Sequence, residues 1–204
     1  DGQYLKALDY YRRAYEIDLE KGDRIHTGVK LANLAHAHID LGNYSQAAAI
    51  LKKARRFCEQ TRDTSALSDT VLTIALLKLR MGKPADAMRY VREGITLAQS
   101  ADSLIDELRG LLLWAECQLD DPDGQFGVAL EKAEEVVDRA EKAKLPSEQI
   151  HGLLLKSRAL MQMGRAQEAA PVSNLVMAMN TVSAISGVDV VFHNHGRLML
   201  AINE

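Results

Sequence analysis

Glycines recur along the 204-residue chain at Gly2, Gly42, Gly82, Gly124 and Gly164, spaced 40, 40, 42 and 40 residues apart. A fixed period of this length is the mark of stacked like units, and it restricts the fold more than any single motif could. Three of these glycines stand in near-identical words, Leu41-Gly42-Asn43-Tyr44, Met81-Gly82-Lys83-Pro84 and Met163-Gly164-Arg165-Ala166, each between segments of helical period. They are read as helix stops, because glycine adopts the left-handed angles of a helix cap without a Cβ penalty.

Five residues after each glycine comes a small residue, Ala7, Ala47, Ala87, Ala129 and Ala169. The preceding segments carry Ala35, Ala75, Ala115, Ser157 and Gly196, with Leu31, Val71, Leu111, Leu153 and Phe192 four positions earlier, hence on the same helix face. Small side chains at fixed places let neighbouring helices approach closely. Few aromatic residues, four prolines and abundant Ala, Leu, Glu, Lys, Arg and Met suit a chain made of helices. Ten helices are expected, at about 3–20, 24–41, 44–61, 64–81, 84–100, 103–119, 125–144, 147–163, 166–186 and 189–203. Asp23, Asp63, Ser103, Ser147 and Asp189 are the expected N-caps.

The run Leu31-x-x-Leu34-Ala35 leading to Leu41-Gly42-x-Tyr44-x-x-Ala47-x-x-x-Leu51-x-x-Ala54 resembles the tetratricopeptide repeat signature. Looser matches follow: Val71, Ile74 and Ala75 lead to Gly82, Ala87, Val91 and Gly94, and Leu111, Trp114 and Ala115 lead to Gly124, Phe126, Ala129 and Val136. Lys156 and His195 depart from it where an apolar residue is usual, and His38 and Lys78 where tyrosine is usual. The resemblance is to the variety with repeats of roughly 40 residues. It implies an all-α, right-handed α-solenoid of stacked antiparallel helix pairs, and a role in binding other proteins. The expected organisation is one solenoid domain over 1–204, a fragment of a longer protein, with units 1–23, 24–63, 64–102, 103–146, 147–187 and a partial 188–204.

Chemistry is sparse. His36 with His38, and His193 with His195, are two residues apart and point to different sides of a helix, so no metal is expected. Cys58 and Cys117 lack CxxC spacing. The stretch Asp120-Asp121-Pro122-Asp123-Gly124 looks like a calcium loop only superficially, since Leu119 and Leu130 occupy the end ligand positions; a Pro-Asp-Gly turn explains it better. No phosphate-cradling loop, GxSxG elbow or HExxH pair is present, so neither enzyme activity nor a cofactor is expected. A net charge of −3 with dispersed Lys and Arg argues against nucleic acid. Residues 169–188 carry no charge, but Pro171, Asn174, Asn180 and several serines make them too polar for a membrane span. A cytoplasmic setting is the expectation.

Two surfaces stand out. In the family the resemblance points to, the positions three before, one after and four after the small residue of each first helix line a peptide-binding groove. Here they include Ile39, Leu72, Leu76, Leu79, Leu112, Glu116, Leu154, Arg158, Met161 and Arg197. Two readings stay open, a groove for an amphipathic helix or apolar peptide with Arg158 and Arg197 orienting its acidic end, or packing between neighbouring first helices. A scaffold or adaptor is the leading function; the alternative is a ligand- or peptide-sensing regulatory domain of a larger bacterial signalling or transcription protein. The second surface is C-terminal. Where the 44–61 helix shows Lys52, Lys53, Arg55 and Arg56, the 166–186 helix shows Asn174, Leu175, Met177 and Ala178. Leu175, Met179, Val182, Phe192 and Met199 are expected to form a contact surface, either a homodimer interface or a docking face for more of the solenoid.

Overall fold

Short loops between strongly periodic segments dictate the architecture, because helices joined by two or three residues must lie side by side and antiparallel. A computed structural model describes residues 9–10, 12–13, 16–17 and 27–183, with side chains to Met179 in the last helix. Within the described stretch 27–183 eight helices follow one another: α1 (Thr27–Asp40), α2 (Tyr44–Thr61), α3 (Thr64–Arg80), α4 (Pro84–Ser100), α5 (Leu104–Asp120), α6 (Phe126–Lys142), α7 (Pro146–Gln162) and α8 (Ala166–Ser183). The described residues contain no strand. The expected count of ten is higher by the two terminal helices, of which 189–203 lies outside the described residues and 3–20 largely so. The fold is all-α, built of consecutive packed helix pairs of the tetratricopeptide-like α-solenoid type.

The chain divides into two compact units, 1–110 and 111–204, at a point within α5. In the first, each helix from α1 to α4 packs on the next, and α1 also lies against α3. In the second, α7 packs on both α6 and α8.

Three of the recurring glycines end first helices as expected. Gly42, Gly82 and Gly164 have φ near +74°, +71° and +74°. At each, two backbone bonds close the helix end, for instance Gly42 N–H to Ile39 O at 2.9 Å and Asn43 N–H to His38 O at 2.8 Å. The second helices end in the same geometry without glycine: Arg62, Asp102 and Lys144 take φ of 57°, 51° and 58°. Asp63 caps α3 by accepting from Ala66 N–H at 3.0 Å, and Ser103 Oγ accepts more weakly from Asp106 N–H at 3.4 Å. Ser147 is not a cap: α7 begins one residue earlier, where Pro146 takes the first helical position and Leu145 becomes the cap residue. Asp23 and Asp189 lie outside the described residues.

The small residues are the innermost ones. Ala35, Ala47, Ala75, Ala87, Ala115, Ala129 and Ala169 are wholly buried and Ser157 nearly so, with Leu31, Val71, Leu111 and Leu153 buried beside them. Ala7, Gly196 and Phe192 fall outside the described residues. Asp121 to Gly124 forms a tight turn. Gly124 N–H bonds to Asp121 O at 2.9 Å, and Asp123 N–H to Asp121 Oδ1 at 3.1 Å, so Pro122 and Asp123 sit at the bend.

Candidate binding face

The first helices α1, α3, α5 and α7 carry the positions expected to line a groove, and their depth differs between the units. In the first unit Ile39 is buried in a cluster with Ala35, Ala47, Leu51 and Leu77, and Leu76 lies half-buried against it. Leu72 is wholly buried and Leu79 nearly so. In the second unit Leu112, Glu116, Leu154, Arg158 and Met161 are all half-buried. Leu154 rests on a cluster of Ile150, Leu153 and Val176, and Met161 on one of Leu160 and Ala169. Arg197 lies outside the described residues.

Polar and charged groups on this face meet within each unit. His36 Nδ1 is 3.2 Å from Asp40 Oδ2 on α1. Arg109 of α5 pairs with Asp69 of α3, and Arg158 of α7 pairs with Asp120 at the end of α5. Lys156, a departure from the apolar pattern, reaches Glu134 of α6 at 2.9 Å. Lys132 of α6 lies 6.0 Å from the centre of the Trp114 ring and is held protonated mainly by its bond to Glu131, with Glu135 adding to it. Sequence reasoning missed these lateral pairs. The signal was present, since Asp69 and Arg109 occupy the same position of successive repeats with opposite charge.

Other departures are buried rather than reactive. His38 Nδ1 is closed off from solvent without a hydrogen-bond partner among the described residues, and burial lowers its pKa from 6.5. Cys117 is pushed up to about 12, first by burial and then by Glu116, Asp120 and Asp121, which keeps it a thiol. Cys58 is raised by burial too, and shares a 3.8 Å contact with Thr70 Oγ1. Among the described residues no three of His, Cys, Asp and Glu gather as a metal site. No helix there is long and apolar enough to cross a membrane.

On the C-terminal surface, Leu175 is 48% exposed. Met179 packs inward against Ile150, Leu153 and Val176. Val182 belongs to α8 but its side chain is not described, and Phe192 and Met199 lie outside the described residues.

Comparison with known families agrees with the helix pairs. A model described as tetratricopeptide repeat matches residues 27–62, spanning α1 and α2. A second, described as anaphase-promoting complex subunit 5, matches residues 57–115. No curated protein matches the chain. Repeats of the first kind generally mediate protein–protein interaction, and they form a scaffold rather than a catalytic site. Glycine-capped first helices, buried small residues at a period of about 40 and the match over α1 and α2 together identify tetratricopeptide-like repeats in this chain.

Proposed function

We propose that the chain is a scaffold or adaptor that binds a segment of a partner protein on the open face of its second unit. The residues involved are Leu112 and Glu116 of α5 with Leu154, Arg158 and Met161 of α7. The observation that carries this reading is the partial exposure of Leu112, Leu154 and Met161, against the burial of Leu72, Ile39 and Leu79 at equivalent places in the first unit. Apolar side chains half out of a rigid helix face gain free energy when a partner removes them from water. Arg158 is already neutralised by Asp120, so the apolar side chains supply the attraction and an acidic anchor on the partner is not required. An amphipathic helix with an uncharged apolar stripe meets these demands. The second matched family is named for a subunit of a complex, which fits a scaffold role.

Helical peptides selected from a random library against the intact chain provide the test, with affinities measured by calorimetry. Leu154→Asp and Met161→Asp should each weaken such peptides by about tenfold or more, as truncation of a central contact does. Glu131→Ala on the exposed side of α6 should leave them unchanged. Selected peptides indifferent to both aspartates would refute the placement.

A further inference from the structure

The contact between α3 and α5 in the first unit assembles two carboxylates around one cation. Arg109 Nη1 donates to Asp69 Oδ1 across the helices and, at 3.4 Å, to Asp106 Oδ1 one turn earlier on its own helix. Asp106 Oδ2 accepts from Ser103 Oγ at 2.9 Å. The second Asp69 oxygen, Oδ2, is shut off from solvent and has no hydrogen-bond partner among the described residues. The side chains of Asp69, Asp106 and Arg109 keep only 16%, 11% and 31% exposure.

One guanidinium cannot neutralise two carboxylates, and enclosure leaves little water to solvate the surplus negative charge. Of the neighbouring acids, Glu107 is engaged with Gln99 of α4 at 2.9 Å, and Glu93 of α4 is held by Arg55 of α2. A proton arriving on Asp106 would remove the surplus while leaving the Asp69–Arg109 pair intact.

We propose that this contact is a proton-taking joint, in which acid neutralises one carboxylate and ties α3 to α5 more firmly. The charge balance of the three side chains sets its direction. Burial pushes the Asp106 carboxyl above its ordinary 3.8, Asp69 pushes the same way, and Ser103 and Arg109 oppose. The folded chain therefore holds a proton at a pH where the unfolded chain has released it. Its stabilising contribution is full below 3.8 and is lost as pH rises through the folded value, the reverse of an ordinary ion-paired carboxylate.

Two measurements on the intact chain test this. The carboxyl carbon of Asp106, followed by NMR, should titrate above 3.8. Melting temperatures of the wild type and Asp106→Asn should diverge in the wild type's favour as the medium goes from about pH 7 to about pH 4, because only the wild type can take up the proton. An Asp106 signal that titrates at or below its ordinary value overturns the proposal, and so does a melting difference that stays constant or moves the other way. The NMR titration needs no variant, so a poorly folding Asp106→Asn chain does not rescue the idea.

Discussion

Leu72 in the first unit and Leu154 in the second hold the same position of their repeats, three residues before the small residue, yet one is wholly buried and the other half open. The difference lies in the second helix of each pair. Seven residues after its small residue, that helix carries Gly94 beside Leu72 and Val176 beside Leu154. A Cβ at Gly94 would come within 2.5 Å of Leu72 Cδ2, so the leucine fills the space that glycine leaves empty. Val176 fills its own space in the cluster with Ile150 and Leu153, and Leu154 remains on top. The other two repeats follow the rule: Ala32 is buried with Ala54, and Leu112 is half-buried in the repeat that carries Val136. Whether a leucine at this place is core or surface is thus decided by a residue on another helix.

The sharpest way to break this comparison is to truncate both leucines. Leu72→Ala should cost about 2–5 kcal/mol, the range for a buried leucine that leaves a cavity. Leu154→Ala should cost less, about 1.5 kcal/mol, since part of its surface is already in water. Urea unfolding followed by circular dichroism checks both, and equal losses would mean that the two positions do not differ in depth. Trp114, the single tryptophan, reports separately on the second unit.

A smaller effect tests the cause. Gly94→Ala should destabilise by about 1–3 kcal/mol through overpacking against Leu72. The corresponding shrinkage, Val176→Ala, should loosen the second unit while letting Leu154 settle deeper, visible as reduced solvent exposure of that side chain in NMR. If Gly94→Ala is neutral, the glycine does not set the leucine's depth.

The smallest effect concerns acid. His38 has its pKa lowered from 6.5 by burial, so below about that pH the unfolded chain takes up a proton more readily than the folded one. Stability from this group is present above the ordinary value and is lost as pH falls through the folded one. Replacing it by phenylalanine should flatten the fall in melting temperature just below neutrality. A wild-type curve already flat there would show that His38 reaches solvent. The lost stability has the opposite sign to that expected at Asp106, so the two groups are separable by pH.

Much of the fold was legible because a period leaves several copies of each signal. Glycine ends, buried alanines and helix order could all be read from residues 40 apart. The left-handed ends at Arg62, Asp102 and Lys144 could not, because backbone closure onto Cys58, Ala98 and Ala140 imposes that geometry on residues that do not announce it. Ser147 misled because Pro146 needs no N–H at the first helical position and so starts the helix sooner. The candidate face was legible in register but not in depth. Ile39, Leu72 and Leu154 look alike in one sequence row, and only their neighbours across the helix pair distinguish them.

The turn at Asp121 to Gly124 has a bearing on how such chains can be lengthened or re-engineered. Besides its internal bonds, Asp121 N–H reaches back to Cys117 O at 3.0 Å and Gln125 N–H to Gln118 Oε1 at 2.8 Å, while its bend residues Pro122 and Asp123 are exposed. Two extra residues are accommodated there while Ala115 and Ala129 keep their buried places. Exposed tips of this kind tolerate inserted sequence well. A fluorescent reporter or affinity epitope spliced between Pro122 and Asp123 would enter at the one spacing already two residues longer than the others.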